Sequence, residues 1–181
     1  MSKLETNTID TVSGTTNLVV GSTNSSTVTF ESGAATGHMY PAFHAYLSSS
    51  QTVGDSATTK AQIDTEILDT DNCYDNSTNY RFTPTVAGKY YVYFFISAEA
   101  NANVINDVSV YLYKNGSEYL EVRDNPVSSE RGMDVGGSNI VDFNGTTDYV
   151  EVFGRINVDS NTPSFSPATK STYFGAYRIG A

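Results

Sequence analysis

The sequence has no tryptophan, a single cysteine and ten Lys plus Arg against twenty Asp plus Glu, and each shortage excludes a class of protein. A lone Cys73 cannot form an intrachain disulfide or a cysteine-rich metal cluster, so the cysteine count leaves the redox compartment undetermined. The net charge of -10 repels phosphate backbones and argues against a nucleic-acid partner. No run approaches the roughly 20 apolar residues of a membrane helix. The opening MSKLETNTIDTVSG lacks the apolar core of about 7 to 15 residues that marks a secretory signal. A chain of this kind is expected to reach the outside of a cell by lysis, or within a particle assembled in the cytoplasm.

What is present favours pleated sheets. Thirteen Tyr and nine Phe stand among abundant Thr, Ser and Val, residues that suit half-buried strands better than helices. At 181 residues the chain accommodates one well-filled domain and a short extension. All-β is the expected class.

The extension is residues 1–37, a β-rich anchoring or stalk segment and linker, with 38–181 as the main domain. Within residues 3–36, Ile9 with Val12, Leu18 to Val20, and Val28 with Phe30 recur about every nine or ten residues between Ser, Gly, Thr and Asn turns. Such short strands bury little by themselves, so they are expected to pair with other chains or dock on a larger surface.

In the main domain, Ala42 to Ser49 alternates, with Phe43, Ala45 and Leu47 on one face and His44 and Tyr46 on the other. Ala61 to Thr70 reads as a strand with Ile63 and Ile67 on a shared face. Lys89 to Ala100, KYYVYFFISAEA, is apolar on both faces and is the expected central strand. Asp107 to Val122 is broken by Asn115-Gly116 and predicts a tight hairpin. Ser138 to Ile156 repeats that arrangement around Asn144-Gly145, and Thr172 to Ala181 closes the chain as a strand. Eight or more short strands without helical periodicity predict a sandwich or jelly roll.

Candidates for chemistry are few. His38 falls in the linker and His44 in a strand, neither beside a nucleophile signature, and Cys73 lacks a matching histidine motif. The carboxylates Glu66, Asp69, Asp71, Glu99, Asp107, Asp148 and Glu151 offer many pairings for glycoside hydrolysis, but twenty acids in a -10 chain read chiefly as solvated surface. Asp69-Thr70-Asp71-Asn72 is similar to the first half of a calcium loop without the glycine and distal glutamate of an EF-hand, making Asp69 and Asp71 weak metal candidates. No residue is nominated as catalytic and no cofactor other than calcium is entertained. Asn24, Asn76, Asn115 and Asn144 begin Asn-x-Ser/Thr triplets of the kind expected by chance in so Asn- and Thr-rich a chain.

One stretch is more specific. Phe82 is followed after Thr-Pro-Thr-Val-Ala by Gly88, then by Tyr90, Val92 and Phe94, with Asp69 and Tyr74 upstream and Ile63 further back. This resembles the pattern of C1q-type heads, with Val92 in place of an aromatic and Ile63 in place of Phe. The resemblance runs over about Ala42 to Ala181 and implies a C1q/tumour-necrosis-factor jelly roll in which Phe82, Gly88, Tyr90, Val92 and Phe94 mark the core and trimer region. It also implies a homotrimer, because a central strand apolar on both faces needs the opposing sheet on one side and neighbouring subunits on the other.

The opening SKLETNTID and the Gly-Thr-Thr-x-Leu step resemble N-termini of small structural proteins of tailed bacteriophages, notably those of marine bacteria and cyanobacteria. That resemblance implies a non-enzymatic virion surface protein, a fibre or capsid decoration bound to phage capsid or tail proteins through residues 3–36. Its exposed loops, Arg123 to Gly137 with Arg123, Glu130 and Arg131, and Asn157 to Lys170, are candidates for touching a host-surface glycan or protein. The alternatives are a receptor-binding knob proper, a secreted bacterial C1q-like binding module, and, least favoured, a carbohydrate-active enzyme.

Overall fold

The computed structural model describes residues 40–180. The short strands expected within residues 3–36, the phage-type opening and His38 lie outside the described residues.

Thirteen strands follow in order: β1 (Ala42–Tyr46), β2 (Gln51–Thr52), β3 (Thr59–Lys60), β4 (Thr65–Asp69), β5 (Tyr74–Asp75), β6 (Arg81–Phe82), β7 (Gly88–Glu99), β8 (Ile105–Lys114), β9 (Ser117–Asp124), β10 (Gly132–Phe143), β11 (Val150–Val158), β12 (Ser164–Phe165) and β13 (Tyr173–Gly180). A single 3-10 turn, Ala168–Lys170, is the one helical element among the described residues. They form two antiparallel sheets. The first runs β10-β7-β13-β1-β4, with β12 and β2 continuing beside the end of β7. The second runs β5-β6-β11-β8-β9, with β3 on β11. The fold is a jelly-roll sandwich.

The core follows from strand alternation. On β7, Tyr90, Val92, Phe94, Ile96 and Ala98 are buried between the sheets, while Tyr91, Tyr93, Phe95 and Ser97 are half-buried on the other side. Phe43 centres an aromatic cluster: its ring stacks 4.5 Å from both Tyr74 and Phe82 and meets Phe174 edge-on at 4.8 Å. Tyr90 and Phe143 extend the cluster, with centroids 5.1 Å apart. These pairings add an offset or edge-on term of about 0.5–1.5 kcal/mol each to the area they bury. Phe82, Tyr90, Val92 and Phe94 are thus residues of the sandwich interior.

Two expectations need correction. Ile63 and Ile67 do not share a face: β4 begins only at Thr65, Ile63 is fully buried before it, and Ile67 is 55% exposed. The register between β1 and β4 slips between His44 and Ala45, leaving Ile67 unpaired in a bulge, which resets the alternation. The Asn144-Gly145 segment is a turn but not a hairpin turn. β10 pairs with β7 in the first sheet and β11 with β8 in the second, so the chain crosses between sheets there. The Asn144 side chain organises that crossing by accepting from the N–H groups of Thr146, Thr147 and Asp148. By contrast β8 and β9 form a true hairpin, and Asn115 and Gly116 take φ of 53° and 78° in its turn.

Register also fixes the two ends of the sandwich. The chain enters at Ala42 and leaves at Gly180 at the end where β7 begins, since Ala42 pairs with Tyr177 and Lys89 with Gly180. The loops after β7, β9 and β11 lie at the opposite end, where Glu99 pairs with Gly132 and Ser164.

Candidate functional site

Strand registers place side chains in rungs across the outer surface of the first sheet, because directly opposed residues share a face. One rung is Ala42, Tyr177, Tyr91 and Ile140. The next is Leu68, His44, Gly175, Tyr93 and Ser138. The third is Tyr46, Tyr173, Phe95 and Gly136. Six aromatic side chains and one imidazole therefore line a face that no other part of the described chain covers. All seven are half-buried, six of them in stacked or tilted ring pairs and Tyr46 beneath the Lys170 ammonium, and Leu68 and Ile140 are exposed at 46% and 51%.

The glycines set how the rings lie. Gly175 stands between His44 and Tyr93, and a Cβ there would run into the Tyr93 ring. Tyr93 lies across that gap, stacks 5.8 Å from the imidazole, and brings its hydroxyl 3.1 Å from His44 Nδ1. Gly136 makes the equivalent room for Phe95, which stacks on Tyr173 at 5.4 Å. The Tyr91 hydroxyl donates to Ser138 Oγ at 2.9 Å. Burial pushes the Tyr93 phenol above its ordinary pKa, and burial followed by the charge of Lys170 holds His44 below its own. The three rungs are aromatic, and the charges nearest them are Lys170 over Tyr46 and the Lys89–Asp142 pair.

Elsewhere the charged groups are engaged in holding the fold. Asp107, almost wholly buried, accepts from Arg155 Nη1 at 2.8 Å and Asn157 Nδ2 at 2.7 Å, with Arg123 Nη2 at 3.2 Å. Burial alone would raise its pKa, but the Asn157 amide and the two guanidiniums outweigh it and hold the carboxyl below its usual value. Glu151 pairs with Lys60, and Asp148 with Lys114 at 3.2 Å. Asp69 spends one oxygen on the Cys73 N–H and the other on the Tyr74 N–H, closing the loop after β4. No cluster of three or more His, Cys, Asp or Glu placed to hold a metal occurs among the described residues. Cys73 is buried, its thiol pushed above the ordinary pKa by that burial, and its contacts are Thr85 Oγ1 and the Asp71 carbonyl. A cleft of about 570 Å³ beside it is lined by Glu66, Tyr74, Asp75 and Arg81. Asp75 there accepts from the N–H groups of Ser77, Thr78 and Asn79, which hold its pKa at about 2. Nothing in that cleft pairs a nucleophile with a base.

The loop residues Arg123, Glu130 and Arg131 all lie at the end opposite the entry of the chain. Arg123 belongs to the end of β9 and is tied to Asp107 and, through Nε, to Asn125 at 3.0 Å. Glu130 bridges backbone to backbone with Ile105, and Arg131 lies 3.8 Å from Glu99. The sequence shows that β7 is apolar on both faces but does not join its outer residues, Tyr91, Tyr93 and Phe95, to Tyr173, Tyr177 and Ile140. The register across β13 and β10 does so.

Comparison with solved structures gives the fold its relatives. The Eiger TNF of S. frugiperda superposes with a TM-score of 0.58 at 11% identity, over 78% of this chain and 94% of that one. Murine APRIL, in a structure determined at pH 5.0, superposes with a TM-score of 0.56 at 12% identity, over 76% and 98%. The fold is a C1q/TNF-like jelly roll. No family model and no curated protein matches the sequence, so the likeness lies in the fold and not in sequence. On this jelly roll the aromatic rungs occupy the outer side of the sheet that contains β1 and β13.

Proposed function

We propose that the protein is a non-enzymatic homotrimeric surface protein of a tailed-phage virion, a fibre or decoration anchored by residues 3–36 and projecting its jelly-roll head. One observation carries the trimer: the three rungs of aromatic and aliphatic side chains around Tyr91, Tyr93 and Phe95, a continuous apolar surface of the kind subunits cover. A second copy of the chain fits it because the rungs are neutral and rich in tyrosine, which tolerates both the wet free state and the covered one.

The described chain begins beside the first residues of β7, and the Arg123 to Gly137 and Asn157 to Lys170 segments reach the opposite end, free for a host-surface glycan or protein. The virion location rests on the phage-type opening of the sequence.

Ile140→Lys tests the trimer arm, since the side chain is exposed in the single chain and directly opposite Tyr91. A buried unpaired ammonium at a subunit contact costs several kcal/mol. The variant is expected to fold normally and run as a monomer at micromolar concentration; an unchanged mass would reject this face as the contact. Mass spectrometry of purified particles tests the virion arm, and absence of the protein from them would reject it.

A further inference from the structure

We propose that the tyrosine face is a pH-gated subunit contact, closed while the His44 imidazole is neutral and opened when it gains a proton. This deepens the homotrimer reading and rests on it. His44 lies in the central rung, flanked by Leu68 on β4 and by the gap at Gly175 through which the Tyr93 hydroxyl reaches its Nδ1 at 3.1 Å. It is the one ionisable group in that rung besides the Tyr93 phenol.

The groups of the same chain that face it offer a cation no anion to pair with, only the Tyr93 hydroxyl oxygen. β7 presents Tyr93 and β13 presents Tyr173, its ring 5.8 Å from the imidazole. β4 presents Leu68, while Glu66 on that strand stands opposite Ala45 and Asp69 opposite Phe43, with both Asp69 oxygens held by the N–H groups of Cys73 and Tyr74. On β1 itself the neighbour along the face is Tyr46, and Lys170 lies 4.7 Å over its ring. A proton on His44 therefore adds a second positive charge near Lys170, among phenols.

In the single chain the imidazole is half-buried, and burial and Lys170 already disfavour its charged form. Covering the face with another subunit removes the remaining solvent and disfavours it further. The separated chain then binds the proton more readily than the assembled one, so assembly is strongest while His44 of the separated chain is neutral and weakens as pH falls through that group's depressed pKa, below the ordinary histidine value of about 6.5. A further depression of one pKa unit on assembly corresponds to roughly tenfold per imidazole, about a thousandfold in the association constant of a trimer.

Sedimentation velocity of the full chain at pH 7.5 and pH 5.0, beside His44→Gln and His44→Asn, decides the matter, with far-ultraviolet circular dichroism reporting the fold at each pH. The wild type is expected to be a trimer at pH 7.5 and to shift to a folded monomer at pH 5.0, while both variants stay trimeric at both. A wild type that stays trimeric at pH 5.0 overturns the gate and leaves the trimer standing. Variants that dissociate with the wild type, or that fail to assemble at pH 7.5, overturn the role of His44. A wild type that is monomeric at both pH values overturns the gate together with the trimer.

Discussion

Gly88 shows how much of this fold depends on single positions. It opens β7 at φ 143°, a backbone conformation closed to residues with a side chain, and a Cβ there would collide with the carbonyl oxygen of Gly180. The position joins the first residue of the central strand to the end of β13, and Arg178 crosses the same spot to donate to the Ala87 carbonyl at 3.2 Å. Gly88→Ala is expected to destabilise the domain by about 1–3 kcal/mol, read as a lower midpoint in chemical denaturation at unchanged slope. A loss below about 0.5 kcal/mol would mean that β13 simply moves aside. His44 works at the same scale by different means: its neighbours, not its own backbone, decide which protonation state the face accepts.

At the scale of elements, the second sheet is laced by a buried charge. Asp107 on β8 reaches Arg123 on β9 and Arg155 and Asn157 on β11, so one carboxylate links three strands near the loop end. Removing it leaves two guanidiniums side by side without an anion. Asp107→Ala is therefore expected to cost about 3–5 kcal/mol. Asp107→Leu combined with Arg155→Met should cost much less than Asp107→Leu alone, and a double-mutant cycle over those two substitutions measures the difference. Equal losses in the single and double variants would contradict the lacing.

The elements themselves were unevenly legible in the sequence. The β8–β9 hairpin and the central strand β7 were readable because Asn115-Gly116 and the Tyr90 to Ile96 alternation are local signals. The β4 bulge was not, since a slip in register depends on a partner strand that periodicity never mentions. The crossing at Asn144-Gly145 was misread for a related reason: the dipeptide specifies a turn, while the choice of sheet on either side is made by packing against β7 and β8. Among candidate site residues, the outward set of β7 was visible. The convergence of His44, Tyr173, Tyr177 and Ile140 on it was not, because it needs the order in which four distant strands line up.

For the whole molecule, the sandwich has one surface filled by the opposing sheet and another, rich in aromatic side chains, that the described residues leave uncovered. Six aromatic side chains on one outer face form a patch large enough to suit a subunit contact, the reading proposed above. The charged groups on that outer face stand at its margins, with the Lys89–Asp142 pair in the rung beyond Tyr91 and Ile140 and Lys170 over the Tyr46 ring. The most direct test is the mass of the full chain in solution by sedimentation equilibrium at pH 7.5. The account predicts three times the 19.6 kDa of one chain, and a single-chain mass at micromolar concentration would contradict it.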